Sequence, residues 1–194
     1  MVAVRKSPEF MTVAEFLAWD APGGSRWQLV NGVPEAMAPA TETHALIQNE
    51  VGALLRNHLN EHRPGCRALA NPGVIPKIGS EEHFCIPDIG VTCARPVEGA
   101  QMVTEPLLLI EILSPSNAMQ TWRNVWACTT IPSVQEILVI RTASIGVQLL
   151  RRTADGTWPE VPLAIDAGEF TLESIGLSLP LSALYTGTWL AEAA

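Results

Sequence analysis

Leu107-Leu108-Leu109-Ile110-Glu111-Ile112-Leu113 is an aliphatic run broken by a single carboxylate. Its length and apolar content predict a strand from Pro106 to Leu113 that is covered on both faces, with Pro115 ending it. Burying an ionised glutamate there costs roughly several kcal/mol unless a cation or a set of hydrogen bonds meets it. A second acid recurs in a similar setting, Asp88 within Phe84-Cys85-Ile86-Pro87-Asp88-Ile89-Gly90-Val91. Two carboxylates in neighbouring apolar strands suggest a shared metal ion. Side chains alternate along a strand, so Glu111 and Leu113 point the same way.

Around these two segments the chain punctuates itself clearly. Thr12 is placed to cap a short helix to Ala18, with Glu15 at capping-box spacing. Trp27 to Val30 and Val33 to Met37 flank Asn31-Gly32, a tight-turn hairpin signal, and Pro34 keeps the second strand short or at an edge. Thr41 to His62 reads as the longest helix, with Leu46, Ile47, Val51, Leu54, Leu55 and Leu59 at three- and four-residue steps. Strands are predicted at Arg67–Ala70, Gly73–Lys77, Phe84–Thr92 and Glu136–Thr142. A helix capped by Ser116 or Asn117 runs to about Cys128. Gly146 to Arg152, Asp155-Gly156 and Trp158 suggest a hairpin, and Phe170 to Tyr185 an amphipathic segment packing across the sheet. The fold class is α/β or α+β: a mixed sheet of four or five strands flanked by helices, with an N-terminal hairpin and a C-terminal β extension.

The length of 194 residues fits one domain, residues 11–194, after a leader over residues 1–10. A net charge of −8, from 12 Lys+Arg against 20 Asp+Glu, argues against a broad electrostatic grip on nucleic acid but leaves room for a local arginine patch. Arg123, Arg141, Arg151 and Arg152 are the phosphate-binding candidates. Cys66, Cys85, Cys93 and Cys128 form no CxxC pair and read as four reduced thiols in the core. With no membrane-length apolar run and no signal-peptide core, a cytoplasmic protein is expected.

Several ordered segments resemble the Uma-type putative restriction endonucleases, a branch of the PD-(D/E)XK nuclease superfamily. They are Trp27-Gln28-Leu29-Val30-Asn31-Gly32, Met37-Ala38-Pro39-Ala40 with His44, Ile86-Pro87-Asp88-Ile89, Glu111-Ile112-Leu113-Ser114-Pro115-Ser116-Asn117, and Ile131-Pro132-Ser133-Val134 before Glu136-Ile137-Leu138-Val139. The resemblance spans about Thr12 to Tyr185. It implies a restriction-endonuclease-like fold, hydrolysis of DNA by a metal-activated water, Mg²⁺ or Mn²⁺ as cofactor, and a homodimer. Asp88 and Glu111 match the metal-binding acids, the carbonyl of Ile112 a further ligand, and His44 a histidine near the start of the long helix.

The chain also departs from that pattern. Leu113 stands where a lysine would follow the second acid, and the helix to which that lysine moves offers Trp122-Arg123-Asn124, so Arg123 or Asn124 takes its place. Gln28 replaces a glutamate that would make a third metal ligand, and Gln120 stands where an acid is common. These losses motivate a second class of function, a nuclease fold without catalysis that binds nucleic acid or another protein. Three other histidines, His58, His62 and His83, read as solvated surface, and Trp122 and Trp126, four residues apart, as core rather than a base-stacking face.

Overall fold

The computed structural model describes residues 10–192. Its spine is a six-stranded sheet in the order β3-β4-β5-β6-β7-β8, formed by Arg67–Ala70, Ile89–Thr92, Pro106–Leu113, Glu136–Arg141, Val147–Arg151 and Leu163–Ile165. All neighbours are antiparallel except β5 and β6, which run parallel. A parallel pair needs a crossover. Helix α3, Ala118–Cys128, supplies it and packs over one face of β5.

Alternation along β5 sorts its side chains between two cores. Leu108, Ile110 and Ile112 join Ile47, Val51, Leu55 and Leu59 of helix α2, Glu42–His62. Leu109 joins Val125 and Cys128 of α3 with Ile137 and Val139 of β6. This is the two-sided burial that the aliphatic run requires, and it assigns Glu111 to the α3 side. Thr41 caps α2 through its hydroxyl oxygen, which accepts the amide of His44 at 3.3 Å.

The N-terminal expectations hold closely. Helix α1, Val13–Leu17, starts in a complete Thr12–Glu15 capping box. Hairpin β1–β2, Trp27–Val30 with Val33–Ala36, turns through Asn31 and Gly32, both at positive φ. Phe16, Leu29 and Phe84 build a third small core that fixes this hairpin to the main body. At the other end β9 and β10, Glu169–Leu172 and Leu177–Pro180, form a hairpin, and Leu181, Leu184 and Tyr185 bury themselves against the α2 core.

Other expectations change. The sheet has six strands, because Leu163–Ile165 returns along β7 well beyond Trp158, whose indole N–H instead donates to the Thr129 carbonyl at 2.9 Å. Gly73–Lys77 contributes only an isolated bridge between Val74 and Cys85, since Pro72 and Pro76 deprive the segment of ladder donors. Pro87 likewise interrupts Phe84–Thr92, leaving isolated bridges at Phe84 and Cys85 before β4. Neither Ser116 nor Asn117 makes a side-chain cap; a 3-10 turn, Pro115–Asn117, leads into α3.

The cysteine expectation is corrected for one pair. Cys66 and Cys93 are joined by a disulfide, while Cys85 and Cys128 are free and buried. The two partners lie opposite each other only once β3 and β4 are in register, which a separation of 27 residues does not reveal. Residues 1–9 of the expected leader lie outside the described residues, and Phe10 rests its ring against Gly32. Among the described residues no helix is long and apolar enough to cross a membrane.

Candidate functional site

Asp88 sits at the mouth of β4, just after Pro87, where its backbone leaves the ladder and its side chain turns toward β5. One carboxylate oxygen, Oδ2, accepts the Ile112 amide at 2.7 Å, and Oδ1 lies 3.2 Å from Nε2 of His44. Its own backbone carbonyl accepts from the Asn71 amide at 2.9 Å and from Gln48 Nε2 at 2.7 Å. His44 and Gln48 are one turn apart on α2, so a single helical face holds both the carboxylate and the backbone of Asp88.

Glu111 lies beside it. Burial, followed by repulsion from the Asp88 charge and from Cys85, pushes its pKa well above the ordinary value, against the opposing pull of the Asp88 backbone amide. The acids are each 8% exposed. Two neighbouring carboxylates so withdrawn from water repel each other when both ionise, and a divalent cation between them relieves that cost. The donor set therefore fits a hard cation. Among the described residues no three His, Cys, Asp or Glu side chains converge as a metal cluster, so the side chains that would hold such an ion are these two carboxylates.

The burial of Glu111 has a consequence for folding. Its raised pKa means that the native state keeps a proton which the unfolded chain has already lost. Stability of the cation-free protein therefore falls as pH rises from the unfolded value, 4.5, toward the native one. Glu111→Gln removes that slope. In chelator, the variant is expected to melt about 3–8 °C above the wild type at neutral pH and to match it below pH 4.5. Equal melting temperatures at neutral pH would show that the carboxylate is not held in an apolar setting.

Gln28 and Asn124 meet on the α3 side. Gln28 is almost wholly buried on β1, and its Oε1 accepts from Asn124 Nδ2 at 2.9 Å. The Asn124 Oδ1 and the His44 Nδ1 are buried without a hydrogen-bond partner in the protein. Leu113 packs with Trp122 against the α3 core and contributes no polar atom.

A residue not singled out from the sequence organises the rim. Glu35 lies opposite Gln28 in the hairpin register, and its Oε2 accepts from Arg123 Nη2 at 2.8 Å, Gln120 Nε2 at 3.1 Å and Gln28 Nε2 at 3.4 Å. The tight Asn31-Gly32 turn already pairs positions 28 and 35, so the signal was present in the sequence. Gln48 was likewise legible as the residue one helical turn beyond His44.

The remaining candidates are redistributed. Arg123 is tied to Glu35 rather than open to a phosphate. Arg141 pairs with Asp166, Arg151 with Glu136 and Glu173, and Arg152 donates to the carbonyls of Thr129, Ile131 and Pro132. His83 is buried rather than solvated: desolvation first, then the Arg123 charge, lowers its pKa. His58 is half-buried with Nε2 3.0 Å from the Ile175 carbonyl, while His62 is exposed. Trp122 packs against the core, but its neighbour on the same helical face, Trp126, is 40% exposed.

A family model described as Uma2, "Putative restriction endonuclease", matches residues 13–182. The chain belongs to the Uma2 family. An uncharacterised protein of Synechocystis sp., slr1290, is 28% identical over 192 residues, covering 96% of this chain and 98% of its own. The crystal structure of a putative nuclease belonging to DUF820 from Anabaena variabilis superposes with a TM-score of 0.75 at 20% identity, covering 91% of this chain and 98% of that one. The fold is thus nuclease-like.

Proposed function

We propose that this Uma2 protein is a metal-dependent endonuclease that hydrolyses DNA phosphodiester bonds, with Mg²⁺ or Mn²⁺ held by Asp88, Glu111 and the Ile112 carbonyl. The observation that carries the reading is the Asp88 carboxylate bound to the Ile112 amide, which seats the acid of one strand beside the acid of the next. When bound, the cation lowers the pKa of a coordinated water and offsets charge on the scissile phosphate. Asp88 and Glu111 supply the two negative charges, and burial strengthens their pull on it. His44, fixed by Asp88, presents Nδ1 as a proton acceptor or donor at the edge of the site. Asn124, fixed by Gln28, turns a neutral amide where the family pattern has a lysine.

The test is direct. Purified protein with Mg²⁺ or Mn²⁺ is expected to relax and linearise supercoiled plasmid DNA, and EDTA to stop it. Intact plasmid under both metals would refute the proposal.

A second reading is favoured by a specific observation: the amide pair Gln28–Asn124 and the ion pair Glu35–Arg123 leave no unengaged cation among the residues described above. On it, the fold binds nucleic acid or a protein without catalysis. Glu35→Gln tests whether Arg123 meets the nucleic acid. Losing a pair whose side chains are 33% and 42% exposed should cost less than about 1 kcal/mol of stability. Freeing the guanidinium should tighten DNA binding about twofold to fivefold at low salt and steepen its salt dependence by up to about one ion. Unchanged affinity in a gel-shift titration would place Arg123 away from the DNA path.

A further inference from the structure

We infer that the Cys66–Cys93 disulfide is a reversible staple that sets the position of Asp88 from the opposite end of the β3–β4 ladder. The register makes the connection. Arg67 pairs with Thr92 and Ala70 with Ile89, so the disulfide occupies the next position before the ladder and the Asn71–Asp88 pair the next position after it. There the Asn71 amide donates to the Asp88 carbonyl at 2.9 Å. Asn71 is in the left-handed region, φ 50°, and its Oδ1 accepts from Gln48 Nε2 at 3.3 Å. That same Gln48 nitrogen holds the Asp88 carbonyl, so Asn71, Gln48 and Asp88 form one hydrogen-bonded node.

Strand β3 packs Ala68 against the α2 core, and Arg67 donates to the Ala94 carbonyl, but its hold on the fold is otherwise slight. It is an edge strand, and none of its residues is buried, whereas all four residues of β4 are. Short edge strands without buried side chains open at low free-energy cost. A covalent link at the Cys66 end keeps β3 in register and thereby keeps the Asn71 amide on Asp88. Cys93 is exposed and Cys66 half-buried, so reagents reach this bond while Cys85 and Cys128 stay enclosed.

The chemistry is thiol–disulfide exchange with a dithiol reductant. A thiolate attacks one sulfur of the Cys66–Cys93 bond and releases the other as a thiolate, forming a mixed disulfide. The second thiol of the reductant then displaces the protein sulfur and closes a cyclic disulfide. Two electrons pass to the protein, whose cysteines take up two protons. The released β3 opens more often, and the node behind Asp88 loosens. A dithiol-rich compartment therefore lowers the affinity of the acids for their cation, and oxidation restores it.

The inference rests on the metal reading only for its second readout. The first is hydrogen exchange by mass spectrometry, comparing oxidised protein with protein reduced by dithiothreitol. Peptides spanning residues 67–71 are expected to exchange about tenfold faster after reduction, with α3 unchanged. The second is Mn²⁺ calorimetry on the Cys66→Ser/Cys93→Ser double variant, free of reductant, where the dissociation constant is expected to rise about threefold to tenfold over that of the oxidised wild type. Exchange over 67–71 that ignores reduction, or that rises equally in α3, overturns the staple. So does alkylation of Cys66 and Cys93 in untreated folded protein. Equal Mn²⁺ affinity of variant and wild type overturns its effect on the acids. If oxidised wild type binds no Mn²⁺ at all, the metal reading fails, and exchange over 67–71 still decides the staple.

Discussion

Asp88→Ala or Glu111→Ala is expected to abolish saturable Mg²⁺ and Mn²⁺ binding and to lower any plasmid cleavage by at least about a hundredfold. The two substitutions should fail for different reasons. Glu111→Ala removes a buried carboxylate that already resists ionisation, so the cation loses a ligand while the apo protein loses a source of repulsion. Asp88→Ala removes the acceptor of the Ile112 amide and the partner of His44 together. It should therefore also cost about 1–3 kcal/mol of stability through the stranded Ile112 amide, whereas Glu111→Ala offsets what the Asp88 amide loses by removing a buried carboxylate that burial and the Asp88 charge oppose. Calorimetry reads the ligand loss, and urea unfolding reads the stability difference. A single-alanine variant that keeps wild-type metal affinity, or cleavage that survives both substitutions, removes the metal proposal; a loss of binding in both, with the larger loss of stability in Asp88→Ala, is the signature expected of two acids sharing one ion.

Local signals in this sequence carried the elements far better than their arrangement. The capping box at Thr12 and Glu15, the Asn31-Gly32 turn, the periodicity of α2 and the aliphatic run of β5 each encode structure within a few residues, and each appears as expected. The resemblance to the Uma2 family foretold the nuclease-like fold as well. What failed were long-range consequences. Nothing near Cys66 announces Cys93, because their meeting depends on the pairing of two strands. His83 sits among charged residues in sequence, yet the fold buries it near Arg123 and Glu35. Arg123, Arg141 and Arg151, read as phosphate-binding candidates, looked free because their partners, Glu35, Asp166 and Glu136, lie 15 or more residues away. Within the candidate site, Asp88, Glu111, His44 and Ile112 do come together, and so do Gln28, Arg123 and Asn124, but in a second cluster organised by Glu35.

Glu136 illustrates how a charge can stand in the core without belonging to chemistry. It is 1% exposed at the start of β6, and its side chain shares the α2 face with Leu138 and Ile140, opposite to the α3 face that holds Glu111. Its Oε1 accepts from Arg151 Nε at 2.7 Å and from the Glu173 amide at 3.2 Å, while Oε2 accepts the Ser174 amide at 2.8 Å. Those two amides belong to the turn between β9 and β10, so this carboxylate pins to the central sheet the hairpin whose Phe170, Leu172 and Leu179 seal the α2 core. Glu136→Ala leaves two turn amides without their acceptor and half-frees a guanidinium, and is expected to cost about 3–5 kcal/mol. Glu136→Gln retains an oxygen for the amides and should cost about 1–2 kcal/mol. Urea unfolding should show the midpoint falling in that order with an unchanged slope, the mark of lost stability rather than a changed unfolded state. An alanine variant as stable as the glutamine one would mean that the hairpin is held by its apolar side chains alone. Because Glu136 faces away from the acid pair, both folded variants should titrate Mn²⁺ like the wild type, which separates loss of the scaffold from loss of the site.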